Sequence, residues 1–290
     1  MTRQPSRNIF ITLTRENHRL HSFSPIGNKN AVNPTSQKKA GAVQARKGDG
    51  RAISALTAYD YPTARLLDEA GTDLILVGDS LGMVVLGFPD TTHVTLDMMV
   101  HHTAAVARGV TNALVIGDMP IHSYETPEQA LETARKLVAA GADAVKLEGG
   151  LRQVKKIRTI IAAGIPVIGH HGMLPQRVLE EGGYKKKGKT EAESCAILEG
   201  ALALQEAGCF AIVLESVVPE LAVKITAQLN IPTIGIGCKA KSGPQTCDGE
   251  IAVITDVVGS YPWFVPPFAT VRADVAGEIK RAVQEYIVSL

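Results

Sequence analysis

From Ala52 onward the chain repeats one pattern: a short apolar or β-branched run, then a longer stretch with helical periodicity. The runs are Ala52–Thr57, Leu74–Val77, Ala113–Ile116, Ala144–Leu147, Ile165–Ile168, Phe210–Leu214 and Ile231–Ile234. Apolar runs of this length, bounded by Gly or Pro, are what parallel strands buried on both faces look like. Helices are expected over Tyr61–Ala70, Pro127–Ala140, Arg152–Ala163, Glu191–Ala207 and Glu220–Leu229. Gly71, Gly141, Gly164 and Gly208 follow four of them, where a left-handed cap belongs. Thr126-Pro127-Glu128 supplies a capping hydroxyl, a first-turn proline and a first-turn acid in order. An eighth strand is expected within Ile251–Phe268, which would close a (β/α)₈ barrel of about 250 residues. An open doubly wound sheet usually carries a glycine-rich turn after its first strand. Here that turn reads Ala58-Tyr59-Asp60-Tyr61, so the expected fold is the α/β (β/α)₈ TIM barrel.

Composition narrows the function. With 30 Lys+Arg against 29 Asp+Glu the formal charge is +1, which argues against nucleic-acid or membrane-surface binding driven by net charge. No apolar run approaches the roughly 20 residues that span a bilayer. Cys195, Cys209, Cys238 and Cys247 are too few and too scattered for a disulfide scaffold. Residues 1–42 are basic and poor in acids, and are read as a disordered N-terminal extension, an organellar transit peptide, or the product of an unused upstream start. Residues 43–290 are read as the catalytic barrel.

The chemistry is written at the strand ends. The second run leads into Asp79-Ser80, the third into Asp118, the fourth carries Lys146 and Glu148, the fifth leads into His170-His171 and the sixth into Glu215. In a barrel these positions converge on the C-terminal mouth, where such enzymes bind substrate. Lys146 and Glu148 are two apart, so one strand face carries both. Carboxylates gathered in a pocket need a cation, protonation or a basic partner. Asp79, Asp118 and Glu148, oxygen donors without a cysteine set, favour a hard divalent ion such as Mg²⁺, one of the three acting through water. Lys146 can balance charge or hold an anionic substrate carboxylate. A Schiff-base role needs a depressed pKa, which close carboxylates oppose. A metal chelating a 2-oxo acid would acidify the neighbouring carbon, and a carboxylate not used on the metal would take the proton. Glu215 is the candidate base.

These residues lie in strings that resemble the ketopantoate hydroxymethyltransferase family from about Val43 to the C-terminus. The strings are Leu56–Asp60, Val77–Met83, Val94–Asp97 with His101–Val106, Gly117–Pro120, Lys146–Gly150, Gly169-His170, Gly182–Lys185 and Val213–Glu215, in family order. The resemblance implies a cytoplasmic, magnesium-dependent barrel of the phosphoenolpyruvate/pyruvate type and a homo-oligomer, by family pattern a decamer. The implied reaction moves a hydroxymethyl group from methylene-tetrahydrofolate to 3-methyl-2-oxobutanoate, giving 2-dehydropantoate on the way to pantothenate. Asp79, Asp118 and Glu148 match the metal ligands, and Asp79, Ser80, Asp118 and Lys146 the oxo-acid contacts. Glu215 matches the proton acceptor and His170 a polar pocket residue.

The chain departs from the family after Gly235-Ile236-Gly237. A longer, more basic stretch, Cys238–Gly249, replaces a short connection, and Pro266-Pro267-Phe268 replaces Pro-Lys-Phe. That bears on folate contacts more than on enolisation. Cys238 and Cys247 fit no zinc spacing and are read as isolated thiols. Lys185-Lys186-Lys187 with Lys189 reads as a solvated loop, a mobile lid or a polyanion patch. His101-His102 reads as packing or capping. A metal-dependent oxo-acid lyase or mutase on the same barrel is a second reading, separated by dependence on a folate donor; a non-catalytic paralogue is a third, favoured by metal-dependent proton exchange without product.

Overall fold

The computed structural model describes residues 34–239 and 243–290. Eight parallel strands close on themselves in sequence order. They are β1 (Ile53–Thr57), β2 (Leu74–Val77), β3 (Leu114–Asp118), β4 (Ala144–Glu148), β5 (Val167–Gly172), β6 (Ala211–Glu215), β7 (Thr233–Ile236) and β8 (Gly249–Ala252). The eighth strand lies just ahead of and into the expected window, beginning at Gly249, where a Cβ would meet the Ile53 backbone oxygen at 2.4 Å. A glycine lets β8 close against β1.

The helices are α1 (Pro34–Gln44), α2 (Tyr61–Glu69), α3 (Leu81–Val84), α4 (Leu96–Gly109), α5 (Pro127–Ala139) and α6 (Val154–Ala162). After them come α7 (Glu191–Glu206), α8 (Pro219–Gln228), α9 (Ile254–Val258) and α10 (Val275–Val288). The expected caps form: Thr126 accepts from the Gln129 N–H, and Gly71, Gly141, Gly164 and Gly208 all take positive φ.

Strand side chains alternate between two apolar layers. Ile75, Val77, Val115, Val145, Leu147, Ile212 and Leu214 face outward and pack under the helices. Leu74, Leu76, Leu114, Ile116, Ala144, Ile168, Ala211 and Val213 fill the barrel axis. Parity therefore dictates the site. Counting two residues on from Ile116, Ala144, Ile168 and Val213, the next inward positions are Asp118, Lys146, His170 and Glu215. Glu148 follows Lys146 on the same face.

The folded unit reaches back before Val43, the boundary expected from composition. Helix α1 buries Ser36, Ala40 and Val43, the last two packing with the barrel-axis residues. Basic side chains of α1 and of the turn after it grip the aspartates that precede three strands. Lys39 Nζ lies 3.1 Å from Asp143, Arg46 2.6 Å from Asp73 and Lys47 2.8 Å from Asp248. Basic composition concealed this helix because its buried stripe is narrow and its lysines are structural. The remainder of the expected extension, residues 1–33, lies outside the described residues.

Candidate active site

At the C-terminal end of the barrel the polar strand ends form one line across five strands. Asp79, in the turn after β2, donates its backbone N–H to Asp118 Oδ2 at 3.2 Å. On β3 and β4, paired in register, Lys146 Nζ donates to Asp118 Oδ1 at 2.6 Å and stands 3.9 Å from Glu148 Oε1. His170, paired with Glu148 across β4 and β5, holds Nδ1 3.3 Å from Glu148 and Nε2 3.2 Å from Glu215. Those are ion-pair distances, but the angles leave both imidazole nitrogens and Glu148 Oε1 without a hydrogen bond. Ser80 Oγ is 2.9 Å from the Tyr59 hydroxyl. All seven expected residues thus line one cavity of about 490 Å³, whose outer walls carry Met83, Tyr184, Tyr261, Phe264 and Phe268.

Glu215 is set by the backbone around it. Gly172, at the end of β5, has φ +100°, and a Cβ there would meet the Glu215 backbone oxygen at 2.4 Å. The close approach lets the Met173 N–H donate to that oxygen at 2.8 Å. Ser216, next along, is held at φ 49°, a left-handed conformation uncommon outside glycine.

Burial, then the Asp118 charge, raise Asp79 well above the ordinary carboxylate range, and burial raises Asp118. Burial would lower the Lys146 ammonium, but Asp118, Glu148 and Asp79 outweigh it and hold the amine above its usual value. An amine held charged cannot act as a Schiff-base nucleophile. Burial opposes ionisation of Glu148, yet His170 and Lys146 bring it below its usual value. Against burial and the Lys146 charge, Glu148 and Glu215 lift His170 to about 9.

Four acids, Asp79, Asp118, Glu148 and Glu215, therefore face two cations, Lys146 and His170. The fully ionised cluster carries two negative charges in excess, the deficit one divalent cation offsets. Among the described residues no three His, Cys, Asp or Glu side chains converge as a ready-made metal shell. Asp118 is turned onto Lys146, and Asp79 accepts from Gln176 Nε2 at 2.9 Å. The oxygen donors fit magnesium held by one or two carboxylates with the rest of its shell water.

Several contributors were not singled out from sequence. Gln176 joins the two sides of the site: its side chain reaches Asp79 and the Met119 carbonyl, while its backbone N–H donates to Glu148 Oε2 at 3.1 Å. The Tyr124 hydroxyl donates to the Gln176 carbonyl oxygen. His102 Nδ1 donates to the Tyr59 carbonyl at 2.6 Å, so the expected packing histidine supports the Ser80 partner. The basic loop is pinned only in its middle: Lys185 and Lys189 are exposed, as a solvated loop would have them. Lys186 donates to the Gly237 carbonyl at 2.7 Å and Lys187 pairs with Glu181 at 2.7 Å. Cys238 and Cys247 are not isolated from one another: both are buried against Gly235, and Cys238 donates to the Leu214 carbonyl at 3.0 Å.

Solved structures with this architecture include a phosphonopyruvate hydrolase, 18% identical with TM-score 0.60, covering 87% of this chain and 91% of that one. Another is 2,3-dimethylmalate lyase, a phosphoenolpyruvate mutase/isocitrate lyase superfamily member, 18% identical with TM-score 0.53 over 87% of each chain. At that identity they speak for the fold alone. Relatives are much nearer in sequence. The 3-methyl-2-oxobutanoate hydroxymethyltransferase of Thermosynechococcus vestitus is 53% identical over 84% of this chain and 92% of its own length. That of Pyrobaculum neutrophilum is 56% identical over 80% and 87%. The family model for ketopantoate hydroxymethyltransferase matches residues 37–290, helix α1 onward through every strand end described above. The chain belongs to the ketopantoate hydroxymethyltransferase family.

Proposed function

We propose that this chain transfers a hydroxymethyl group from methylene-tetrahydrofolate to 3-methyl-2-oxobutanoate, giving 2-dehydropantoate in the synthesis of pantothenate. The observation that carries the reading is the buried line from Asp79 to Glu215, which ends the inward side of five strands in one cavity. Asp79 and Asp118 would hold magnesium, with Glu148 acting directly or through water. Bound there, the ion would supply the Lewis acidity that draws electrons from the oxo acid and acidifies C3.

The protein's own groups do the rest. Lys146, kept charged by its carboxylates, binds the substrate's anionic end, and Ser80, oriented by Tyr59, donates to it. Glu215 stands at the far end of the line, free of the metal, and removes the C3 proton. His170 lies between Glu148 and Glu215, with Nε2 3.2 Å from Glu215, and so positions the base. Water cleaves both C–N bonds of the methylene bridge, so tetrahydrofolate leaves with its two N–H groups restored and the one-carbon unit is freed as formaldehyde. C3 of the enolate bonds to that carbon, and the resulting alkoxide takes up the proton that Glu215 removed, giving the hydroxymethyl group. The apolar outer wall excludes water from the enolate.

Two further readings belong with this one. The enzyme works as a homo-oligomer, a decamer by family resemblance, supported by the exposed apolar face of α10. It works in the cytoplasm, supported by four cysteines that are all free thiols. Among the described residues no helix is long and apolar enough to cross a membrane.

Proton NMR of 3-methyl-2-oxobutanoate in D₂O with Mg²⁺, with and without methylene-tetrahydrofolate, tests the reaction. Deuterium at C3 together with folate-dependent 2-dehydropantoate is the expected result. Exchange without product would refute the transferase reading, and no exchange would remove the oxo acid as substrate.

A further inference from the structure

Asp256 is a buried carboxylate that the reaction as drawn does not use. It lies in the first turn of α9, just after β8, and only 5% of its surface is exposed. It lines the same cavity as the metal-facing acids, which Tyr261, Phe264 and Phe268 also line. Among the described residues no side chain or backbone N–H bonds to its carboxylate, and no cation pairs with it. Burial alone pushes it up to about 6. A carboxylate buried without a donor is costly unless a ligand supplies one. Asp256 and Asp79 line one cavity, so a single bound assembly can reach both.

The ligand that fits is planar, aromatic and carries two parallel N–H donors on one edge. A reduced pterin has that edge: its ring amide N–H and its 2-amino group form a fork that a carboxylate accepts with both oxygens. Aromatic walls suit its fused ring. The oxo acid has no such donors. We propose that Asp256 binds the one-carbon donor of this reaction by accepting the paired N–H bonds of its pterin, with Tyr261, Phe264 and Phe268 packing on the ring. The assignment rests on the folate-dependent reaction proposed above.

The test is steady-state kinetics of wild type and Asp256→Asn with methylene-tetrahydrofolate, alongside C3 proton exchange without folate. Asparagine keeps the shape but turns an acceptor into a donor. The KM for methylene-tetrahydrofolate should rise about 10- to 100-fold, the range of a charge-assisted hydrogen bond, while the KM for the oxo acid stays within about twofold. Exchange by the variant reports that it is folded. A donor whose pterin carries 2-methyl in place of 2-amino should be used about tenfold less well by wild type and no worse by the variant. Unchanged folate KM in Asp256→Asn, or a wild type indifferent to the 2-methyl donor, overturns the assignment while leaving the reaction standing. A wild type that exchanges the proton but makes no product overturns both. Were Asp256→Asn insoluble, the 2-methyl donor still decides with wild type alone.

Discussion

Glu215 and Asp118 lie three strands apart on the same buried line, and substitutions there should separate two functions. Glu215→Gln keeps the shape beside His170 but removes the proton acceptor. C3 exchange should fall by about 10²- to 10⁴-fold, the usual share of a general base, with magnesium-dependent oxo-acid binding retained. Exchange at the wild-type rate would remove Glu215 from that role. Asp118→Ala should weaken magnesium binding and leave Lys146 without its nearest partner, 2.6 Å away. Because both groups are almost fully buried, stability without metal should also drop by about 3–5 kcal/mol. An unaltered magnesium titration would refute the ligand assignment. These positions were legible in sequence because strand parity turns every second residue inward, and polar groups ending apolar runs break that pattern visibly. Gln176 was not. It comes from an irregular segment after β5 and has no charge to mark it, and only the fold brings it to Asp79 and Glu148. Asp256 carries no signal in the sequence either, because its burial comes from the fold.

Among the elements, α7 meets the barrel through a contact that composition hides. The His171 ring lies against Gly150 and Gly200, and a Cβ on Gly200 would meet its Nε2 at 2.2 Å. Alanine in a helix interior normally gains about 1 kcal/mol over glycine. Here Gly200→Ala should instead lose about 1–3 kcal/mol through overpacking, measured by urea midpoint. In a His171→Ala background the same change should become neutral or stabilising; equal losses in both backgrounds would rule out the clash. The histidine also sets a pH dependence. Burial, then the neighbouring His170, hold His171 at about 4, against about 6.5 for the unfolded chain. Between those values the unfolded state binds the extra proton, so stability contributed by neutral His171 is complete above pH 6.5 and is lost as pH falls toward 4. The loss is up to about 3 kcal/mol, and His171→Leu should flatten that part of the urea-midpoint profile. A variant with the wild-type slope over pH 4.5–6.5 would refute it. Strands and flanking helices were readable here because period and caps agree. Helix α1 escaped, since Ser36, Ala40 and Val43 form too narrow a stripe to stand out among lysines.

At the scale of the whole molecule the last helix is the anomaly. Helices around an eight-fold barrel should pack outside the strands, yet α10, the second helix after β8, buries only Ala276. Ile279, Val283, Tyr286 and Ile287 are all exposed, at the 4, 3 and 1 residue spacings of a single helix face. Trp263, Phe264 and Val265, in the segment leading to it, are exposed as well. Each large apolar side chain left in water forgoes roughly 1.5–3 kcal/mol of burial, so a surface of this composition calls for a second protein surface. A copy of the same chain supplies an apolar face of its own, and symmetric association would cover both at once. The same segment carries Tyr261, Phe264 and Phe268 of the cavity wall, so assembly would steady the mouth that shelters the reaction. Light scattering on a sizing column should therefore give a mass that is a multiple of 30.8 kDa. Ile279→Glu with Val283→Glu, changes confined to exposed positions, should shift it toward the single chain. A wild-type protein of 30.8 kDa at every concentration would mean that α10 faces another partner, and a charged variant of unchanged mass would place the interface elsewhere.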